Sequence, residues 1–415
     1  MNKRLLSLTA AMVLTLSTFA VTIETDRTWY LAGEAMRVSV RANNAVVAYA
    51  ELCDTQGLAA GTLINLKSGE GNGVIELPSD LHSGYYLLSA YTRNDTLVSQ
   101  QLVAVINPLR KSAADDIEWL SADSCWADPG DWSNHKLQSS KLKFQSSETE
   151  GHIVQARIKN VYNGRTFKSS QICPALSIIG KQIHYFEGKM VNDSTAYFHT
   201  FGIYGKQPIV ISAVASSMTD GTSDIGNGVS LPIEVISPFA TLLPKQLPHL
   251  KFHYNRSEVE ARSLDMQRHQ KALAIAPDTP SDYDESVYGT KPDLTYNLDE
   301  YRQFFTIREV LIEYVNCVSH RKSNGVSQLL VRRAQDPYNT FMPTLVLIDG
   351  MPVYDVERLL NYDARRIHYI NIYGSQYLFG NEIYNGILSF VTRSGRLTNY
   401  PTERNMQYLE YEFPK

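Results

Sequence analysis

The sequence contains few cysteines, and no two of them lie close together. Its 415 residues include four, Cys53, Cys125, Cys173 and Cys317. No Cys-x-x-Cys motif occurs, so thiol exchange and zinc-knuckle chemistry have no basis in the sequence. Three disulfide pairings are possible between these widely spaced residues, and four buried free thiols are the alternative.

Positive charge is not in excess either. The chain has 39 Lys and Arg against 43 Asp and Glu, a formal net charge of −4. Binding to a phosphate backbone requires a basic surplus, so we expect no nucleic-acid partner. With 43% hydrophobic and 20% charged residues, the composition is typical of a folded chain, and its length allows two to four domains.

Long apolar runs are absent after the first twenty residues, so we expect no transmembrane segment. Residues 1–20 combine a basic start at Lys3 and Arg4, an apolar stretch and a small residue, Ala20, at the expected cleavage point. This pattern predicts a signal peptide, with a short membrane anchor as the alternative. We therefore expect an exported protein in the periplasm or at the outer membrane, with the cell surface as the alternative.

The common catalytic motifs are also missing. The sequence has no H-E-x-x-H, G-x-S-x-G or G-x-x-x-x-G-K-[ST]. Its closest histidine pair, His249 and His253, would need a helix directly after Pro248 and further ligands that the sequence does not offer. We expect no enzymatic activity, no catalytic residues, no cofactor and no metal.

Two stretches show the alternating pattern of short strands. Residues 21–110 contain such runs between turn residues, including Arg37 to Arg41 and Tyr85 to Tyr91, and they predict a β-sandwich. Residues 141–240 repeat the pattern, with a final strand that a proline ends in both cases. Between them, residues 111–140 hold Trp119, Trp126 and Trp132 among several aspartates. We interpret this segment as a linker whose rings pack between domains, with an aromatic binding surface as the alternative.

The remainder has a different pattern. Residues 241–295 are predicted to form a strand-helix connection and an acidic, proline-rich linker. In residues 296–400, Thr306 to Glu309 form a capping box before a helix, and Thr344 to Ile348 form an apolar strand covered on both faces. This region is therefore predicted to be α+β. Residues 401–415 are predicted to be a C-terminal tail.

Three motifs of the last region resemble the plug domain of TonB-dependent outer-membrane receptors. They are the "L-x-x-I-D-G-x-P-V" run at Leu345 to Val353, the strand at Ile367 to Tyr373, and the closing "N-G-x-I-x-I-x-T" run at Asn385 to Thr392. The family's lysine-glycine before "S-x-x-Y-G" is replaced here by Tyr373-Gly374. Only twenty residues follow Gly395, too few for a barrel, so the resemblance implies a plug-like domain without a barrel.

The first sandwich resembles the second macroglobulin domain of bacterial α2-macroglobulin-like proteins. The resemblance rests on Thr25 to Glu34, similar to "T-D-R-x-x-Y-x-x-G-E", and on Leu77 to Tyr86, similar to "L-P-x-x-x-x-x-G-x-Y". The thioester run Cys-Gly-Glu-Gln is absent, which argues against covalent protease trapping. Together the resemblances imply an exported Gram-negative protein with two Ig- or macroglobulin-like β-sandwiches followed by a small α+β plug-like domain.

The resemblances imply a non-enzymatic accessory protein that docks on an outer-membrane β-barrel protein or complex, in transport or outer-membrane assembly. The alternatives are a glycan-binding surface protein and a non-covalent macroglobulin-type protease inhibitor. Aromatic residues cluster near the end of the chain, and tyrosine-rich faces are enriched in protein interfaces. We predict that the partner contacts this segment, through Tyr373, Gly374, Tyr377, Phe379, Gly380 and Tyr384.

Overall fold

A computed structural model gives the fold of the chain. It describes residues 21–108, 117–128, 142, 146–179, 183–215, 229–275, 288–323, 326–332, 344–379, 382–395, 397, 400 and 405–415. The chain forms two compact units. Unit 1 comprises Met1–Thr149 with Thr241–Glu260, and unit 2 comprises Glu150–Ala240 with Ala261–Lys415. The predicted signal peptide lies outside the described residues.

Eight strands form the first sandwich, in unit 1. They are β1 (Thr22–Thr25), β2 (Trp29–Leu31), β3 (Ala35–Arg41), β4 (Val47–Cys53), β5 (Leu58–Asn65), β6 (Glu70–Glu76), β7 (Gly84–Tyr91) and β8 (Val98–Ile106). One sheet has the order β1-β3-β6 and the other β2-β8-β7-β4-β5. The β2–β8 pair is parallel. Alternation along β3 turns Met36, Val38 and Val40 into the core between the sheets, so this region is the predicted β-sandwich.

The strand β4 departs from simple alternation because all seven of its residues are buried. Its outer face carries polar groups that are satisfied by other parts of the chain. The hydroxyl of Tyr49 donates to the carboxylate of Glu148 at 2.7 Å, and Glu51 accepts from the hydroxyl of Tyr91 and the backbone N–H of Thr241, both at 3.0 Å. These bonds offset the desolvation of two buried carboxylates.

Two short strands follow in unit 1, β9 (Ile117–Ser121) and β10 (Trp126–Asp128). In unit 2, ten strands of the second sandwich follow within the described residues. They are β11 (Ile153–Ile158), β12 (Val161–Tyr162), β13 (Arg165–Thr166), β14 (Ile172–Ile178), β15 (His184–Glu187), β16 (Lys189–Asn192), β17 (Thr195–His199), β18 (Gly205–Ala215), β19 (Val229–Ser230) and β20 (Ile233–Val235). A 3₁₀ turn at Ser169–Gln171 precedes β14.

Two sheets enclose the core of the second sandwich, with the orders β16-β17-β11-β20 and β15-β14-β18-β19. The hairpin β12-β13 turns at Asn163 and Gly164, where both residues have positive φ, of 48° and 77°. A tight hairpin requires this conformation, and asparagine and glycine adopt it most readily. The second predicted β-sandwich is therefore present as well.

The chain next forms β21 (Leu250–Tyr254) and α1 (Arg256–Ile275). The strand β21 pairs in parallel with β9 and antiparallel with β10, which makes a three-stranded sheet in unit 1. The prediction of a linker over residues 111–140 was therefore wrong for β9 and β10. Their pairing partner lies more than a hundred residues further along the chain, where a local pattern cannot reveal it. Within the described ranges, no helix combines the length and apolar character needed to cross a membrane.

The described residues of the α+β region of unit 2 form seven strands and two helices. They are β22 (Leu294–Asn297), α2 (Ile307–Glu313), β23 (Val318–Ser323), β24 (Val326–Val331), β25 (Leu345–Ile348), β26 (Met351–Pro352), α3 (Val356–Leu360), β27 (Ile367–Phe379) and β28 (Glu382–Thr392). Two 3₁₀ turns lie at Leu298–Glu300 and Ala364–Arg366. Five strands form a mixed sheet in the order β22-β27-β28-β25-β26, and β23 and β24 form a separate hairpin.

Two local predictions agree with this region. The capping box is present, because Thr306 Oγ1 accepts from the N–H of Glu309 and the Glu309 carboxylate accepts from the N–H of Thr306. All four residues of β25 are buried. Val346 and Ile348 pack into the main core, whereas Leu345 and Leu347 pack into a smaller tyrosine-rich cluster, so both faces of the strand are covered.

The end of the chain differs from the prediction of a tail. Residues Gln407–Phe413 form the strand β29, which pairs antiparallel with β18 of the second sandwich from Gly205 to Ile211. Tyr411 and Phe413 are buried in the core of that sandwich. The chain thus leaves the second sandwich, forms the α+β region and returns to complete the sandwich. The alternation of β29 is detectable in the sequence, but its partner strand is not.

Candidate functional site

The predicted partner-binding residues lie on the long hairpin formed by β27 and β28. Tyr377 pairs directly with Tyr384, and Tyr373 pairs with Ile387. The register shifts between Tyr373 and Gln376, which marks an irregularity at Gly374. The hairpin therefore brings Tyr373, Gly374, Tyr377 and Tyr384 together, as adjacent segments of two paired strands.

The tyrosines of this hairpin face inward. Tyr373 and Tyr384 are only 3% and 5% exposed, and Tyr377 is half-buried. The ring of Tyr288 meets that of Tyr373 edge-on at 5.1 Å and that of Tyr377 at 6.2 Å. Burial raises the pKa of Tyr377 above its ordinary value, so its hydroxyl stays neutral. The expectation that Tyr373 and Tyr384 present their rings to a partner is corrected here, because both fill a cluster beneath β25.

The irregularity at Gly374 has a local cause. The N–H of Gly374 donates to the carboxylate of Asp293 at 2.5 Å. A Cβ atom at this position would lie 3.0 Å from the same carboxylate oxygen. The glycine thus lets Asp293 approach the backbone, which is a structural role. Phe379 is the last residue of β27 and its side chain lies outside the described part, as does Gly380 entirely.

The exposed apolar feature of the hairpin lies on the opposite face. Ile383 is 52% exposed and pairs with Leu378. Because side chains alternate along a strand, Ile383 points away from the cluster that Tyr384 enters. The neighbouring strand β22 pairs with β27 only as far as Ile372, and β25 pairs with β28 only from Ile387. Ile383 therefore lies on a part of the hairpin that extends beyond the ends of both neighbouring strands.

The first and the last of the three motifs in the α+β region meet at one buried carboxylate. Asp349 follows β25 and has a positive φ of 48°, next to Gly350 at 87°. Its carboxylate accepts from the N–H of Thr392 at 2.7 Å, from the N–H of Leu397 at 2.9 Å and from the hydroxyl of Thr392. Burial raises the pKa of Asp349, and the three donors oppose that rise. The turn after β25 is thereby bonded to the end of β28.

The tryptophan-rich segment forms a second feature, in unit 1. Trp119 on β9 and Trp126 on β10 are 46% and 44% exposed, respectively, whereas Trp132 lies outside the described residues. Trp126 stacks on His253 of β21, with ring centroids 3.6 Å apart. The sequence pointed to the tryptophans but not to His253. His253 lies on a strand, so the helical i,i+4 spacing with His249 does not apply.

The described residues contain no group of three or more His, Cys, Asp or Glu side chains placed to hold a metal ion. None of the four cysteines, all of which lie in the described ranges, forms a disulfide. Burial, with added repulsion from Glu51 and Asp54, raises the pKa of Cys53 to about 12, so this thiol is unreactive at neutral pH. Cys173 is the exposed member of the four.

No family model matches the chain, and no curated protein matches it. Among solved structures, the chain is similar to a biofilm-associated protein, BSP domain, at 12% identity and a TM-score of 0.19, over 55% of this chain and 30% of that one. It is also similar to Escherichia coli alpha-2-macroglobulin activated by porcine elastase, at 8% identity and a TM-score of 0.20, over 53% of this chain and 20% of that one. A third similar structure is the Salmonella alpha-2-macroglobulin mutant Y1175G, at 8% identity and a TM-score of 0.19, over 53% of this chain and 15% of that one.

These neighbours are macroglobulin-like proteins and a bacterial β-sandwich domain, and this chain spans less than a third of the length of each. The β-sandwich character of the chain rests on its own sheets and cores.

Proposed function

We propose that this protein is a non-enzymatic accessory protein of the outer membrane, and that its α+β region is a plug-like domain that docks on a β-barrel partner. The partner would belong to a transport or outer-membrane assembly complex. The observation that carries the proposal is the extended end of the β27–β28 hairpin, with Ile383 exposed on it. An exposed apolar side chain on a hairpin segment that neither β22 nor β25 pairs with is suited to contact with another protein.

The arrangement of the resembling motifs supports the plug-like assignment. The "I-D-G" turn and the closing strand are distant in sequence, yet Asp349 and Thr392 bond to each other. Residues that recur together in a family for a structural reason should meet in the fold, and these do. The middle motif, at Ile367 to Tyr373, lies on β27, which pairs with the closing strand.

The structure changes which residues would form the docking surface. Tyr373 and Tyr384 are buried in the interior. The surface proposed here is therefore the outward face of the hairpin around Ile383. Interface anchors are apolar side chains that become desolvated on binding. Ile383 meets that requirement without unfolding of the region, whereas the buried tyrosines would have to leave their cluster.

Co-purification from detergent-solubilised outer membranes tests this proposal. The full chain should recover one or more β-barrel proteins, and Ile383→Asp should abolish that recovery, because docking would bury an unpaired charge. The matched control is Ile312→Asp on α2, where the side chain is 68% exposed. This variant should retain wild-type recovery, and circular dichroism should show both variants folded.

Two results would contradict the proposal. If the wild-type chain recovers no barrel protein, docking on a barrel is wrong. If Ile383→Asp recovers the partner as well as wild type does, the docking surface lies elsewhere on the chain. A protease recovered in place of a barrel would favour inhibition of macroglobulin type.

A further inference from the structure

The three-stranded sheet of unit 1 has one face that carries a row of side chains open to solvent. Residues directly opposite each other in a sheet share a face. The pairs Trp126–His253 and His253–Leu120 therefore place these three residues side by side on this face, in a row that we call the aromatic row. The next row on the same face consists of Glu118, Lys251 and Asp128.

The indole of Trp126, at the end of this row, forms a flat platform, because one of its faces is covered by the imidazole of His253 and the other face is not. The rings of Trp126 and His253 are 3.6 Å apart and inclined by only 8°, so they stack as a pair. Trp126 is nonetheless 44% exposed. Burying the whole indole would stabilise the fold further, yet nearly half of this side chain stays exposed to water. Such a ring is suited to receive a ligand with a flat apolar face.

The backbone that directly precedes Trp126 is held in place. The N–H of Cys125 donates to the carboxylate of Glu258 at 2.8 Å, and its carbonyl accepts from the indole N–H of Trp29 at 3.1 Å. The side chain of Asn255, which precedes α1, donates to the carbonyl of Asp123 at 2.9 Å. Phe252, on the reverse face of the sheet, packs edge-on against Trp29. The platform is therefore preorganised, which lowers the entropic cost of binding.

The next row, Glu118, Lys251 and Asp128, supplies both hydrogen-bond donors and acceptors beside the platform. Lys251 lies 3.5 Å from Glu118 in an ion pair whose side chains are each about half exposed. An ammonium donates and a carboxylate accepts. With Asp128 the row carries two carboxylates and one ammonium, which does not favour an anionic ligand. A ligand that fits both rows needs an apolar face and hydroxyl groups that both donate and accept. That description matches a neutral saccharide, whose ring presents C–H groups on one face and hydroxyls at its rim.

We propose that this face, defined by Trp126, His253, Leu120, Glu118, Lys251 and Asp128, is a binding site for neutral oligosaccharides. A protein partner fits less well, because a stable protein interface buries roughly 800 Å² on each side around an apolar centre. The apolar part of this face comprises only Trp126, His253 and Leu120.

Calorimetric titration of the full chain with a panel of soluble hexasaccharides tests the proposal. The probes are cellohexaose, maltohexaose, xylohexaose, β-1,4-mannohexaose and N-acetylchitohexaose. At least one should bind and change the tryptophan fluorescence. Trp126→Ala should weaken that binding about tenfold or more, and Trp126→Phe should give an intermediate affinity because a smaller ring remains.

The control is Trp119→Ala. Trp119 is exposed to the same degree as Trp126 but lies on the reverse face, where it packs edge-on against Phe252 and Tyr254. This variant should bind the same hexasaccharide with wild-type affinity. The proposal is overturned if no probe binds at millimolar concentration, or if Trp126→Ala and Trp119→Ala weaken binding equally. Loss of a protein partner on Trp126→Ala, with no saccharide bound by wild type, would also overturn it in favour of a protein interface.

Discussion

The carboxylate of Asp349 accepts a hydrogen bond from the backbone N–H of Thr392 at 2.7 Å, across 43 residues of sequence. The hydroxyl of Thr392 and the N–H of Leu397 donate to the same carboxylate. One buried side chain therefore joins the turn after β25 to the end of β28. Loss of this acceptor would leave three donors without a partner in the interior.

The first prediction concerns Asp349→Ala. Each unsatisfied buried donor costs about 1–3 kcal/mol, so the α+β region should be destabilised by roughly 3 kcal/mol or more. Hydrogen exchange followed by mass spectrometry should show faster exchange of β25 and β28, with the strands of the first sandwich unchanged. Unaltered exchange of β25 would show that the contact does not stabilise the region.

The second prediction concerns pH. Burial raises the pKa of Asp349 in the folded state above its unfolded value near 3.9. Between these two pKa values the folded state binds more protons, so the stability that this group contributes falls as pH rises through the folded pKa. Asp349→Asn removes the titration. The difference in free energy of unfolding between wild type and this variant should therefore shift against wild type as pH rises above about 4. A difference independent of pH would contradict the raised pKa.

The third prediction compares two glycines. Gly350 has a φ of 87°, and a Cβ atom there would lie 2.3 Å from Cγ2 of Ile183. Gly350→Ala should thus combine backbone strain with a clash, and should destabilise unit 2 by at least about 1–3 kcal/mol. At Gly57 a Cβ atom would meet nothing within 4 Å, so Gly57→Ala should be neutral or slightly stabilising. Thermal unfolding of both variants measures the contrast, and equal melting temperatures would refute it.

The fourth prediction tests the return of the chain to the second sandwich. Phe413 is fully buried in that core, whereas Tyr408 on the same strand is 38% exposed. Phe413→Ala should cost about 3–5 kcal/mol of stability. Tyr408→Ala, also an aromatic-to-alanine change, should stay within about 0.5 kcal/mol of wild type. Urea unfolding followed by exchange in β18 distinguishes the two, and a similar loss in both variants would argue against the placement of β29.

The fifth prediction concerns limited proteolysis within the linker that the sequence predicts from Ala276 to Asp293, at residues 276–287, which lie outside the described residues. A cut there should not release the C-terminal piece, because β29 pairs with β18 across seven residue pairs. The two pieces should elute together in size-exclusion chromatography without denaturant. Phe413→Asp, which buries an unpaired charge, should let them separate. Separation of the wild-type pieces in native buffer would contradict the pairing.

Local sequence patterns determined much of the secondary structure. Alternation was sufficient for β3, the capping box for the start of α2, and the apolar run for β25, because each signal lies within the element itself. The neighbours Asn163 and Gly164 were sufficient for a hairpin turn, since asparagine and glycine adopt a positive φ more readily than other residues do.

Tertiary structure alone decided the features that depend on distant partners. The strands β9 and β10 exist because β21 pairs with them, and β29 is a sandwich strand because β18 has an edge that accepts it. The same holds for the tyrosines of the β27–β28 hairpin. The sequence shows that they are clustered, but the face each ring occupies depends on the register of pairing, and a shift of one residue reverses it. The physical reason is that a strand forms its hydrogen bonds with residues far away in the chain, and its buried face packs against such residues too. The local sequence therefore restricts which strands can pair and which face can be buried, but it does not select one pairing.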